Sequence, residues 1–328
     1  VSRAPDDGRR ARQDLLRVTA LAALIFLIQL GARDLWNPNE PIYGRAVVEM
    51  SRSGEWLLPT VNGEVFAEKP ILYFWLARIA GLLGGVDEFT LRLPSALSGL
   101  VGVMLVYLWV RPYTGNSYAR ISSVLFATLY IVFWSARAVQ MDLLVAVTTL
   151  GSVLAATRVL DHGADPRRGW ALAGLAAGLG FLAKGPVGVI CPGAIVFVYL
   201  FWGRRLGELR WSHLALATGV CATVAAPWLV ALAWRGDWDA LREVLFRQNV
   251  SRFFTPWDHH EPWWYYLKYF WIDMAPWAFL VPLAAGLAGR EAGERRLHRL
   301  SWIWIVTILV FFSLSASKRS PYILPVAP

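Results

Sequence analysis

The chain has little charge, few lysines and almost no cysteine. Only 17% of its 328 residues are charged, well below the share a soluble globular protein carries. Its two cysteines, Cys191 and Cys221, lie inside apolar segments without metal-ligand spacing, which excludes a disulfide framework and a zinc knuckle. Only four of the 32 basic residues are lysines, and the arginines gather in short loops between apolar runs. The formal charge of +9 therefore reads as a topology signal, and no nucleic-acid partner is expected. Against these shortages stand 56% hydrophobic residues and 18 tryptophans. That balance defines an integral membrane protein.

Apolar runs long enough to cross a bilayer, roughly 17–25 residues with their flanks, occur about nine times. They fall near 16–33, 94–111, 118–136, 142–160, 169–184, 186–202, 213–234, 264–287 and 299–316. The expected fold is all-α and polytopic. Arg9, Arg10 and Arg12 precede the first run without a small-residue cleavage site after it, so this run reads as an uncleaved anchor. If each run crosses once, these arginines share a side with Arg111/Arg120, Arg158/Arg167/Arg168, Arg204/Arg205/Arg210 and Arg290/Arg295/Arg296/Arg299. The positive-inside rule makes that side, and the N-terminus, cytoplasmic.

The other face then collects the segment from Asp34 to about Arg92, the Arg137–Asp142 turn, Lys184-Gly185-Pro186, the loop from Arg235 to Pro262, and Ser317–Tyr322. All four lysines, Lys69, Lys184, Lys268 and Lys318, lie there or near it, against the usual bias of lysine for the cytoplasmic side. An anionic substrate on the outer face would account for them. In the first long loop, Asn39 reads as an N-cap, Pro41 stands in the first turn, Ile42, Ala46, Val47 and Met50 recur at helical spacing, and Gly54 closes the helix. The expected element is a short amphipathic helix on the outer leaflet with Glu40 and Arg45 on its polar side. Pro70 to Leu83 is apolar but short and interrupted by Arg78, so it reads as interfacial or re-entrant.

Three polar features sit at the outer ends of runs. Asp142 opens an apolar run, either as a functional intramembrane carboxylate or as a helix-start Asp favoured by the dipole. Lys184 ends FLAKGPVG, where Gly-Pro breaks the helix, and is either a ligand-facing cation or a snorkelling anchor. Asp258-His259-His260-Glu261 with Glu68 offers ligands for a divalent cation, Zn, Mg or Mn, although four adjacent residues cannot all face one ion and a solvated loop is the plainer reading.

The string Phe66-Ala67-Glu68-Lys69-Pro70 followed by Ile71-Leu72-Tyr73-Phe74-Trp75 resembles the FEKPPLYYW signature of bacterial polyprenyl-phosphate-dependent glycosyltransferases. These are relatives of the aminoarabinose transferase of lipid A and of the protein O-mannosyltransferases, in the GT-C superfamily. The resemblance continues in order through GEWLLPTVNG, EFTLRLPSAL, Gln140-Met141-Asp142, LAKGPVG, Phe253-Phe254 to Pro262-Trp263-Trp264-Tyr265-Tyr266, and Ser317-Lys318-Arg319 to Pro325, covering nearly the whole chain. It implies one GT-C unit over 1–328, with long outer loops at about 34–92 and 235–262, in the inner membrane of a bacterium. The implied reaction takes a sugar from a polyprenyl phosphate on the periplasmic or extracellular face and passes it to a lipid A, protein or envelope-glycan acceptor. Single displacement would invert the anomeric carbon.

The same resemblance implies site residues. The family's Asp-Glu pair in the first outer loop, which carries the expected base, matches Asn39-Glu40 here, so the role passes to Glu40 or Asp142. Asn39, Tyr43, Lys69, Lys184, Lys318, Arg319 and Tyr322 are the expected substrate-binding set, with Lys69 and the SKRSPYILP residues around the phosphate. Glu68 with His259 or His260 is the implied metal set. The aromatic belt of Trp257, Trp263, Trp264, Tyr265 and Tyr266 fits interfacial anchoring or stacking on sugar and isoprenoid. Family members continue beyond the position matching Pro328, so the chain is expected to be a fragment or a short member. Two other classes share these features. A lipid-linked-sugar transporter would show pseudo-symmetry between halves, which the two long loops lack. A non-catalytic polyprenyl-phosphate binder is kept open by Asn39.

Overall fold

The computed structural model describes residues 5–36, 39–255, 259–286 and 291–328. Helix α1 (Pro5–Leu27) leads into the first long loop, which holds α2 (Asn39–Ser53), a hairpin of β1 (Thr60–Val61) and β2 (Glu64–Val65), and α3 (Leu72–Gly81). The hairpin turns at Asn62-Gly63, both at positive φ, as a two-residue primed turn requires. The bundle follows as α4 (Glu88–Thr114), α5 (Asn116–Thr128), α6 (Tyr130–Ala136), α7 (Asp142–His162), α8 (Pro166–Lys184), α9 (Val187–Trp202) and α10 (Trp211–Arg235). The second long loop carries α11 (Trp238–Arg242), a π-helix (Glu243–Ser251) and one turn, α12 (Arg252–Phe254). The chain closes with α13 (Tyr265–Asp273), α14 (Val281–Gly286), α15 (Ala292–Leu314) and a 3-10 segment (Ser320–Val326).

The all-helical expectation holds for this architecture. Among the described residues, four helices (α4, α7, α10 and α15) are long and apolar enough to cross a membrane, or five if the bent pair α5/α6 counts as one span. The other apolar runs fall short for local reasons. Helix α1 begins in a charged stretch, α9 has 16 residues, and the run 264–287 breaks between α13 and α14 at Pro276. The α5/α6 pair bends by 65° at Leu129, and the amide of Tyr130 recovers a partner in the Ala275 carbonyl at 2.8 Å.

Small residues set the helix spacing. A Cβ placed on Gly174 would come within 2.2 Å of the Ala217 carbonyl oxygen, and one on Gly188 within 2.1 Å of the Gly180 backbone. Backbones of α8, α9 and α10 therefore approach to a distance that no larger side chain allows. The α4 start is fixed by a capping box in which Asp87 accepts from the Thr90 amide at 2.8 Å and Thr90 Oγ1 accepts from the Asp87 amide at 2.9 Å. This sets Arg92 one turn inside the helix.

Helix α2 opens and closes where expected, with Gly54 at φ +77°. Its environment differs from the expectation. Glu40, Tyr43, Ala46, Val47 and Met50 are buried against protein, so α2 is packed into the fold rather than laid on a leaflet with Glu40 facing solvent. Helical periodicity identifies a buried face but not what buries it. Helix α3, at ten residues about 15 Å long, is too short to cross and packs on α4.

Candidate active site

Two polar knots organise one end of the bundle, where α7 begins and α8 and α15 end. In the first, Glu40 is 2% exposed. Its carboxylate accepts from both Arg33 nitrogens at 2.7 and 3.1 Å, from Arg92 at 3.0 and 3.2 Å, and from the amides of Trp36 at 2.9 Å and Val139 at 2.8 Å. Burial raises its pKa, but these bonds outweigh burial and hold the carboxyl below the ordinary range. Arg92 spends its remaining donors on the carbonyls of Leu30, Arg33 and Asp34. Arg137 donates to the carbonyls of Ile25, Phe26, Ile28 and Gln29, closing the end of α1. The knot thus fixes the start of α2 and the turn before α7 in one frame.

The second knot grows from that turn. Asp142 is the first residue of α7 and pairs with Lys184, the last of α8. Lys184 Nζ also lies 4.1 Å from the Tyr322 ring centroid. Beside them is a cavity. Lys69, Lys184, Arg252, Tyr322 and the carboxylate residue Glu68 contribute to its polar wall, and Phe253, Phe311 and Phe312 to its apolar one. Burial lowers the Lys69 ammonium to about 8, Arg252 and Lys184 add to that effect, and Glu68 and Asp142 oppose it. Tyr43, packed against Phe66 and Phe74 with centroids 6.1 Å away, has its phenol pushed up by burial and by Asp142. It stays a neutral donor. Ser317 also lines the cavity, is 1% exposed, and its Oγ has no hydrogen-bond partner among the described residues.

The structure thus brings Lys69, Lys184, Tyr322 and Asp142 together, with Tyr43 close behind and Arg319 near enough to act on the Tyr43 phenol. Asn39 is half-buried at the start of α2. Lys318 is used differently from the expectation. Its ammonium donates to the carbonyls of Ser315 at 2.5 Å and Glu261 at 3.0 Å, and its amide to the His259 carbonyl, clasping the end of α15 to the second long loop. Burial pulls its pKa down. A 4% exposed lysine with this use of its donors is a backbone clasp.

Glu68, His259 and His260 are exposed, and His260 is bridged to Ser317 through the backbone. Among the described residues no three His, Cys, Asp or Glu side chains gather as a metal would need, so the implied metal set does not fit this arrangement. Asp258 and Trp257 lie outside the described residues. Arg252, Asn249 and Ser317 are cavity residues that sequence reasoning did not assign. Arg252 follows a π-helix, which has no hydrophobic period of its own to read, though π segments recur at functional sites.

Fold and site define a polytopic helical membrane protein of the GT-C type with a cavity at one end of the bundle lined by cations, a phenol and aromatic rings. The family described as dolichyl-phosphate-mannose-protein mannosyltransferase matches residues 68–231, and the chain belongs to that family. It is 33% identical over 308 residues to an undecaprenyl phosphate-alpha-4-amino-4-deoxy-L-arabinose arabinosyl transferase of Pseudomonas fluorescens, across 92% of this chain and 53% of the relative. The corresponding protein of Erwinia tasmaniensis is 32% identical, across 92% and 55%. The crystal structure of ArnT from Cupriavidus metallidurans bound to undecaprenyl phosphate superposes with a TM-score of 0.86 at 25% identity, over 95% of this chain and 57% of that one. The chain spans about half the length of the curated relatives it matches.

Proposed function

We propose that this chain carries the donor site of a membrane glycosyltransferase that takes a sugar from a polyprenyl phosphate and passes it to an acceptor. The observation that carries the reading is the convergence of Lys69, Lys184, Arg252 and Tyr322 on one cavity with aromatic walls. Cations and a phenol suit a phosphate, and Phe253, Phe311 and Phe312 suit the first isoprene units. The names of the relatives point the same way, toward undecaprenyl phosphate and an aminoarabinose donor.

In the reaction proposed, an acceptor oxygen attacks the anomeric carbon, the bond from that carbon to the phosphate oxygen breaks, and its electron pair leaves on the phosphate. Lys69, Arg252 and Tyr322 bind the growing phosphate charge, and Asp142 takes the acceptor's proton. Single displacement inverts the anomeric centre. Glu40, with six donors on its two oxygens, is a positioning residue: through Val139 it holds the turn that presents Asp142. Asn39 cannot replace a carboxylate as base. The wider frame proposed is one GT-C unit with about nine crossings, the shorter ones made by α1, α8, α9 and the α13/α14 pair. The N-terminus faces the cytoplasm, the cavity opens at the periplasmic or extracellular face of a bacterial inner membrane, and the acceptor is a lipid A, protein or envelope glycan.

The test is transfer of radiolabelled sugar from a panel of undecaprenyl-phosphate sugars, 4-amino-4-deoxy-L-arabinose included, by purified protein in lipid. Transfer abolished by Lys69→Ala supports the reading. Asn39 favours a second reading, a protein that binds polyprenyl phosphate without turnover, which retention of the lipid with no transfer from any donor would support.

A further inference from the structure

At the end of the bundle opposite the cavity, α9 and α15 together line a groove. Its walls are apolar, with Val198 from α9 and Ile303 and Val306 from α15. Its mouth carries Arg295 and Arg299, one helical turn apart on α15 and both exposed, and the indoles of Trp202 and Trp302 line the same groove. Arg299 forms no ion pair among the described residues, and Glu294 is the nearest acidic residue inside the helix. The Trp302 indole donates to His298 Nε2 at 3.1 Å, which holds that indole at the rim.

Helix α15 is long and apolar enough to cross a membrane, and the mouth lies near the start of that helix. Phe312 lines the cavity at the far end of the same helix, 17 residues from Arg295. That is roughly 25 Å at helical rise, close to the thickness of a hydrocarbon core, about 30 Å. The mouth and the cavity therefore lie at opposite interfaces. Paired tryptophans at such a level sit among headgroups, and basic pockets between helices hold anionic headgroups there. We infer that this groove binds an anionic glycerophospholipid, its phosphate between Arg295 and Arg299 and an acyl chain along Val198, Ile303 and Val306. The sequence gives these arginines a second explanation as part of a diffuse topology signal. The groove, the flanking indoles and the apolar floor distinguish them from arginines that only mark a loop.

The experiment is native mass spectrometry of the full chain released from detergent and titrated with phosphatidylglycerol or phosphatidylcholine of matched acyl chains. Wild type is expected to retain phosphatidylglycerol about tenfold more strongly. Arg295→Gln with Arg299→Gln is expected to reduce that preference to near unity. Arg167→Gln with Arg210→Gln, exposed at the starts of α8 and α10 outside the groove, is expected to leave it intact. A wild type without preference, or equal loss in both double variants, would overturn the assignment in favour of diffuse charge. Thermal melting of each variant separates loss of the lipid from loss of the fold.

Discussion

Two carboxylates at the same end of the molecule, Glu40 buried and Asp142 half-buried, are treated in opposite ways. Glu40 accepts from two arginines and two amides on both of its oxygens, drawn from three separate stretches of chain. Asp142 is held by one lysine at the meeting point of two helix ends, next to a cavity that cations share. A saturated carboxylate is rigid and has no lone pair for a substrate. An unsaturated one at a cavity edge retains hydrogen-bonding capacity. The difference separates a carboxylate that ties chain segments together from one with bonding capacity left at a cavity edge, and in the reaction proposed above the first builds the frame and the second takes the proton, although the sequence presents both as acids near helix starts.

The comparison can be broken most forcefully by neutralising each acid. Asp142→Asn is expected to lower transfer about 10²–10⁴-fold while the melting temperature stays within a few degrees of wild type. Glu40→Gln is expected to do the reverse, because it leaves Arg33 and Arg92 facing an amide, and breaking a buried pair costs about 3–5 kcal/mol. Differential scanning fluorimetry beside the transfer assay separates the two.

Next in size is the cation set. Arg252→Ala is expected to weaken undecaprenyl phosphate binding by about tenfold or more, the value of a charge-assisted hydrogen bond, measured by lipid titration without turnover. Lys69 adds a pH dependence. Its folded pKa is depressed to about 8, so it is charged below that pH and loses its charge as pH rises through it. Donor binding should therefore weaken above about pH 8 and hold below it, and Lys69→Arg should flatten that alkaline limb. Smallest is Ser317→Ala, expected to cost about 1 kcal/mol of donor affinity, some fivefold. Ser317→Thr should restore it, because the buried hydroxyl without a partner is the feature at stake.

The legible parts of this protein were those written in local chemistry. The Asn39-to-Gly54 helix, the Asp at the opening of α7 and the Lys-Gly at the close of α8 follow from caps and breakers within a few residues. That Asp142 and Lys184 meet, 42 residues apart, follows from antiparallel packing of α7 on α8 through glycines, which no local pattern states. The burial of Glu40 is not legible in the sequence, because a helical period cannot distinguish a face turned to lipid from one turned to protein. The clasp made by Lys318 is not legible either, because a lysine's bonds to backbone carbonyls leave no trace in sequence. The nine apolar runs became four or five clear spans because hydropathy averages over the breaks at Leu129 and Pro276.

The most direct test of the account is sugar transfer per folded molecule from an undecaprenyl-phosphate sugar, comparing Glu40→Gln with Asp142→Asn after each preparation is corrected for its folded fraction. The account predicts near-wild-type turnover in the surviving Glu40→Gln molecules and almost none in Asp142→Asn. Loss of turnover in fully folded Glu40→Gln, with Asp142→Asn still active, would contradict it and return the base to the first long loop.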